Sequence, residues 1–251
     1  MINSMQNWFT QAFGTITLEQ VESWFVYNPK EPLLFNTGLF LGMFLIFYFV
    51  YAFLRKTFYL RLVYVILFSL FFYYKSSGVY FLLLLLSSVV DYNLSGVIYR
   101  ETREAWRKFY IVISIILNLG LLGYFKYANF FVDNLNVVLG AFGLQPFTFA
   151  KVLLPIGISF FTFQAISYVF DVYMKDVAAQ KNPFNVLLYV SLFPQLIAGP
   201  IVRYKTVESQ IISRKHSIEK ISDGLVRFII GFIKKVIFAN KMALLADTLL
   251  D

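Results

Sequence analysis

Two apolar runs in this 251-residue chain are interrupted from within by residues that break helices. The first is Leu153-Leu-Pro-Ile-Gly-Ile-Ser-Phe-Phe-Thr-Phe-Gln164, and the second is Phe193-Pro-Gln-Leu-Ile-Ala-Gly-Pro-Ile-Val-Arg-Tyr204. Both are apolar enough for a lipid bilayer, yet a simple anchor avoids Pro, Gly and Gln. Backbone groups freed at bilayer depth cannot be satisfied by hydrocarbon, so such segments persist only where protein covers them or where they line a wet cavity. A chain built this way is expected to enclose a path or a chamber in the membrane and not merely to cross it.

Composition supports the membrane class. The chain is 59% hydrophobic and 14% charged, against about a quarter charged in soluble domains. Its 30 Phe and 17 Tyr suit lipid-facing surfaces and the headgroup belt. There is no cysteine and one histidine, His216, which excludes disulfides, thiolate metal sites and His-rich metal sites. The formal charge of +8 comes from basic residues lying mostly between apolar spans. That pattern reads as membrane topology and not as nucleic-acid binding. The first 29 residues hold no Lys or Arg, and Glu19 and Glu22 interrupt them, so no cleavable signal peptide is expected.

A spanning helix needs about 20 apolar residues. Leu33–Leu54 is the first such run, and Leu62–Tyr74, extended by Tyr59 to Arg61, is the second. Lys75, Ser76, Ser77 and Gly78 read as a tight turn. Val79–Val90 continues past Asp91 toward Ile98, and Phe109–Phe125 is the fourth span, closed by Lys126. The basic residues between spans alternate: Arg55, Lys56 and Arg61, then Lys75, then Arg100, Arg103, Arg107 and Lys108, then Lys126. The positive-inside rule puts the first and third groups in the cytoplasm and the N-terminus outside. Residues 1–32, with Trp8, Trp24, Phe9, Phe13 and Phe25, form a candidate interfacial segment.

The second half is less determined. Asn134–Ala150 is free of Lys, Arg, Asp and Glu but rich in Asn and Gly, and reads as a poor span, a re-entrant piece or a loop. Val152–Phe170 is a strong span, and Asn182–Val202 is interrupted by Pro194, Gly199 and Pro200. Either Asn134–Ala150 crosses, or the Pro194–Pro200 span turns back. Both outcomes put Arg203 to Lys220 on the cytoplasmic side. Residues 221–251 repeat Arg227, Lys234 and Lys241 every seven positions opposite Phe228, Ile229 and Ile233. This is an amphipathic basic helix suited to an interface. The chain is therefore expected to be an all-α, polytopic membrane helix bundle, with broken or re-entrant helices and interfacial amphipathic helices, forming a single integral-membrane domain over 1–251.

No phosphate-cradling glycine loop, His-Glu metal motif or carboxylate pair within one span is present. Asp91 and Asp171 sit near span ends, where a headgroup-level acid is cheap, although a carboxylate within the membrane defaults to a functional role. His216 follows Arg214 and Lys215 in a polar stretch, and Ser217 suits a helix N-cap. Gln164 and Gln195 are amides inside apolar runs that must find partners, either as interhelical glue or as the lining of a polar chamber. Gly199-Pro200 makes a kink or break, and Arg203 at its end is placed to pair with an acid of a neighbouring helix or with an anionic substrate.

The two interrupted runs, the first extended to Pro155–Tyr173, resemble the signature region of the membrane-bound O-acyltransferases, in the alginate O-acetyltransferase branch. Asn118–Phe131 and Gly231–Asn240 are similar to the same branch. The resemblance implies a many-helix, funnel-shaped bundle with a thin floor. It implies transfer of an acetyl or other acyl group to hydroxyls of an exported cell-surface polysaccharide such as alginate. The implied donor is acetyl-CoA or an acyl carrier, with no bound cofactor and no metal. Partners would be membrane lipid, the polysaccharide acceptor and cell-envelope acetylation proteins, with no nucleic acid, at a multi-pass position in the inner (cytoplasmic) membrane. The matching positions, Pro155, Gly157, Gln164, Pro194, Gln195, Gly199, Pro200 and Arg203, belong to the supporting cavity. The family's histidine motifs lie C-terminal to the matched region, and His216 is in a different context, so no catalytic residue is expected within 1–251 and the chain alone is expected to be inactive. The alternatives are a non-catalytic membrane scaffold or truncated remnant, and a small transporter, suggested by the broken helices.

Overall fold

The computed structural model describes residues 18–35, 37–54, 57–197, 199–214 and 217–250. Arg55, Lys56, His216 and the aromatic residues Trp8, Phe9 and Phe13 lie outside the described residues. Every described element is a helix, as the all-α reading requires.

A short helix α1 (Leu18–Phe25) leads to α2 (Gly38–Phe53), which opens with Thr37 accepting a hydrogen bond from the Phe40 amide at 3.2 Å. Helix α3 (Phe58–Ser77) is 20 residues long, about 30 Å and enough to cross hydrocarbon. It runs through Lys75, Ser76 and Ser77, all buried, so the expected four-residue turn is confined to Gly78. Tertiary contacts hold the last helical turn in place. The Lys75 ammonium donates to the carbonyls of Ser23 (2.8 Å) and Val26, and Ser76 Oγ donates to Leu33 O at 2.8 Å. Gly78 breaks the helix at φ +60, with the Tyr27 ring 2.7 Å from where a Cβ would sit. A 3-10 turn over Gly78–Tyr80 then feeds α4 (Phe81–Arg100).

Helix α5 (Glu104–Ala141) has 38 residues and a length of about 57 Å, far beyond one bilayer crossing. The structure thereby resolves the Asn134–Ala150 region. It contributes no separate span: its first part extends α5, and its second part returns beside α5 as non-helical chain. Asn129 and Asn136 secure that return. Each exchanges two hydrogen bonds with the backbone opposite, Asn129 with Val152 (2.7 and 2.9 Å) and Asn136 with Phe147 (3.1 and 2.7 Å).

Helix α6 (Ile158–Tyr173) is the centre of the bundle and packs against α4 and α5. Phe161, Ala165, Tyr168, Val169 and Val172 are buried there. Helices α7 (Pro183–Ser191) and α8 (Phe193–Leu196) are the two pieces of the broken segment. Asn182 caps α7 by accepting from Phe184 N at 3.0 Å, with Pro183 in the first turn, where its missing donor costs nothing. Two further helices follow, α9 (Tyr204–Ile212) and α10 (Ile218–Ile233), the latter capped by Ser217 as its sequence suggests. A π-helical stretch over Lys234–Ala239 then joins α11 (Asn240–Leu250). The π stretch turns less per residue than an α-helix, so Lys241 loses register with Arg227 and the expected single basic stripe is broken there. The apolar side of α10 is mostly exposed, but Phe228 stacks on Phe44 of α2 at 5.1 Å.

Asp91 departs from its sequence expectation. It sits at the middle of α4 and not near a helix end, and it is 0% exposed. Ser114 Oγ donates to it at 2.7 Å, Asn118 Nδ2 to both carboxylate oxygens at 2.9 and 3.0 Å, and Ser87 Oγ at 3.3 Å. Its partners lie on α4 and α5, so the carboxyl group joins two long helices, with α5 supplying its closest donors.

Two continuous stretches are long and apolar enough to cross a membrane, Phe58–Arg100, with its break at Gly78, and Glu104–Ala141; Gly38–Phe53 is apolar but shorter.

Candidate functional site

The two interrupted runs meet in space. The first enters α6 through Gly157, which adopts φ +81, a left-handed conformation in which a side chain costs about 1–2 kcal/mol. A Cβ at Gly157 would lie 2.6 Å from the Leu196 carbonyl oxygen. The glycine thus lets the end of α8 dock on the start of α6. Pro155 is buried just before it. Seven residues into α6, Gln164 Nε2 donates to Gln195 Oε1 at 2.6 Å and reaches the Tyr189 carbonyl at 3.5 Å. This bond fits the reading of these amides as glue between elements, and Gln195 also lines a small space with polar neighbours. Gln164 Oε1 is buried without a hydrogen-bond partner among the described residues.

The second run then reverses. A Cβ on Gly199 would fall 2.6 Å from Gln195 Cα and 2.9 Å from Pro194 O, so only glycine lets the chain fold this tightly over its own preceding turn. From there the extended residues 199–203 travel back along α6. The Tyr189 hydroxyl donates to Val202 O at 2.6 Å, and Arg203 arrives at Asp171 near the far end of α6. The Pro194–Pro200 segment therefore turns back, which is the second of the two topologies left open by the sequence. It enters at the Asp171 end of the bundle, reaches its interior where Phe193 N donates to Ser69 Oγ of α3 at 3.3 Å, and leaves by the same end. Arg214 beside Arg61 fits the same arrangement, because both bear on Tyr51 at the end of α2.

An ion-pair network closes the return. Arg203 Nε donates to Asp171 Oδ1 at 3.1 Å, a second guanidinium nitrogen bonds the same oxygen, and Arg203 also reaches Asp176 at 3.2 Å. Asp171 is 1% exposed on its side chain while Arg203 is 54% exposed. The hydrogen bond and charge of Asp171 raise the already high pKa of the guanidinium. Next to it, Tyr204 packs edge-on between Tyr168 (4.9 Å) and Tyr189 (5.0 Å), and burial pushes its phenol up. Pro200 is exposed and has no visible contact role.

Pro194 lines a cleft of about 1080 Å³ between α2, α3, the broken segment, α9 and α10. Gln195 lines an adjoining space of about 110 Å³ with Tyr189, Gln210 and Arg214. Tyr51, Arg61, Gln210 and Arg214 of these walls were not singled out by their sequence context, because they come from two stretches about 150 residues apart. Among the described residues, no group of His, Cys, Asp or Glu is placed to hold a metal, and no nucleophile–base pair is formed around Gln164 and Gln195. The site is a framework that fixes a re-entrant backbone beside an open cleft.

No family model and no solved structure matches the chain. Curated relatives do. The chain is 47% identical over 146 residues to the probable alginate O-acetylase AlgI of Pseudomonas aeruginosa, covering 58% of this chain and 28% of that protein. It is 44% identical over 146 residues to the protein of the same name from Azotobacter vinelandii, covering 58% and 29%. Identity to the peptidoglycan O-acetyltransferase of Helicobacter pylori is 32% over 246 residues, covering 86% of this chain and 46% of that protein. The chain thus spans less than half the length of these relatives. Together with the exposed apolar helices, these likenesses mark a membrane protein.

Proposed function

We propose that this chain belongs to the membrane-bound O-acyltransferases and forms part of an enzyme transferring acetyl groups to hydroxyls of an exported cell-surface polysaccharide such as alginate. The observation that carries the reading is the union of the two motif runs in one re-entrant unit. Gly157 against Leu196, Gln164 against Gln195 and Asp171 against Arg203 tie it at three levels of α6. A backbone held this firmly inside a bundle is suited to positioning a hydroxyl and an acyl group, and positioning accounts for a large part of acyl-transfer catalysis. The relatives' names, alginate O-acetylase and peptidoglycan O-acetyltransferase, support a polysaccharide acceptor. In this reading the acyl donor is acetyl-CoA or an acyl carrier, and cell-envelope acetylation proteins complete the transfer. The protein is multi-pass in the inner membrane. The Arg61, Arg203 and Arg214 end faces the cytoplasm and the N-terminus lies outside, following the charge rule.

The test is deletion of the gene followed by measurement of ester-linked acetate on the exported polysaccharide by proton NMR. Loss of acetate, restored by the intact gene and not by Arg203→Ala, is the expected result. Unchanged acetylation after deletion overturns the reading.

A further inference from the structure

The cleft of about 1080 Å³ combines two features that a single amphiphile would satisfy together. Its long wall is aromatic and apolar, formed by Phe44, Phe47 and Tyr48 of α2 and Phe193 of the broken segment. Two arginines stand on another side, and among the described residues no carboxylate lines it. The Arg61 guanidinium lies 5.7 Å from the Tyr51 ring centroid, and Arg214 donates to the Tyr51 hydroxyl at 3.0 Å. One tyrosine thus holds both cations at the same end of the bundle. Guanidinium groups steadied by an aromatic ring are well suited to phosphate, which they bind through paired N–H donors. The rim opens sideways onto the apolar surface of the bundle, where Phe53 is 87% and Ile218 86% exposed. A ligand can enter there without leaving the bilayer.

We propose that this cleft binds a membrane phospholipid with a single-phosphate anionic headgroup. The phosphate sits at Arg61 and Arg214, and one acyl chain lies along the Phe44–Phe47 wall. Basic pockets between helices at a membrane surface recognise anionic headgroups in this way. The charge and the apolar wall together select a lipid: a soluble anion would use only the arginines, and a neutral lipid only the wall.

The experiment reconstitutes the full chain in nanodiscs and uses photoactivatable phosphatidylglycerol carrying its reactive group on the acyl chain, with crosslinks mapped by peptide mass spectrometry. Labelling is expected on the α2 peptide that carries Phe44, Phe47 and Tyr48. The double variant Arg61→Gln/Arg214→Gln should label about 30-fold less, the scale of two cationic headgroup contacts, whereas Arg103→Gln, outside the cleft, should label normally. A phosphatidylcholine probe on the unmodified chain gives an independent readout that needs no variant to fold. Equal labelling by both headgroups overturns the proposal. Displacement of the label by inorganic phosphate overturns it in favour of a soluble-anion site. Absence of α2 labelling overturns it in favour of a cleft closed by protein.

Discussion

Gly157 and Leu196 approach so closely that a Cβ on the glycine would stand 2.6 Å from the leucine carbonyl oxygen. That contact joins the two interrupted runs, and the left-handed backbone at Gly157 makes the position doubly intolerant of a side chain. Gly157→Ala should therefore destabilise the protein by more than the roughly 1–2 kcal/mol of the backbone conformation alone, because the obstacle is backbone and cannot swing aside. Gly120→Ala, where a Cβ meets nothing within 4 Å, should be neutral or slightly stabilising in its helix. Thermal unfolding in detergent, followed by fluorescence-detected size exclusion, compares the two; equal melting temperatures would contradict the docking role.

Gln164 and Gln195 form a pair at 2.6 Å, yet the acceptor oxygen of Gln164 is buried without a partner among the described residues. Hydrogen bonds between membrane helices average about 0.6 kcal/mol with a maximum near 1.7 in double-mutant cycles. The cycle Gln164→Leu, Gln195→Leu and the double variant should therefore give a coupling in that range. A coupling indistinguishable from zero would mean that the two amides are independent.

The buried carboxyl group of Asp91 is the meeting point of α4 and α5. Asp91→Leu removes the acceptor for Ser114 and Asn118 and should cost about 1–3 kcal/mol for each polar group left without a partner. Asp91→Asn keeps the size and one acceptor oxygen, and should be the milder change. Protease sensitivity of the α4–α5 connection around Glu101 to Arg103 reads the difference, and a more stable Leu variant would show the cluster to be a burden on the fold.

The same cluster shows what the sequence could and could not disclose. Ser87 and Asp91 are four residues apart, as are Ser114 and Asn118, so each pair was readable as one face of its helix. Only the pairing of those faces was hidden. The break at Pro194 to Pro200 was legible because proline and glycine act locally on the backbone. The length of α5 was not. Asn134, Asn136 and Gly140 look like loop residues, and the helix continues because Asn129 and Asn136 bond the returning chain at Val152 and Phe147. The arginine-lined cleft was equally hidden, since Tyr51, Arg61 and Arg214 converge from distant segments. A possible acidic partner for Arg203 was visible; that it is Asp171 follows only from the reversal of the chain.

That reversal yields the last prediction. Arg203 is half exposed, but Asp171 beneath it is not, so removing the arginine leaves a buried carboxylate facing only weaker partners. Arg203→Ala should lower the melting temperature more than Lys205→Ala, whose contact with Asp176 at 3.4 Å is at the surface. Asp171→Asn placed on top of Arg203→Ala should recover part of the loss, because the neutral amide no longer needs a counter-charge. If the proposed acyltransferase reading holds, acetate transferred by cells carrying the double variant should nonetheless stay low, since the amide restores burial without restoring the arginine that anchors the returning backbone. Recovery of stability and acetylation in parallel would reduce Arg203 to a purely structural role. No recovery of either would show that Asp171 acts through more than its charge.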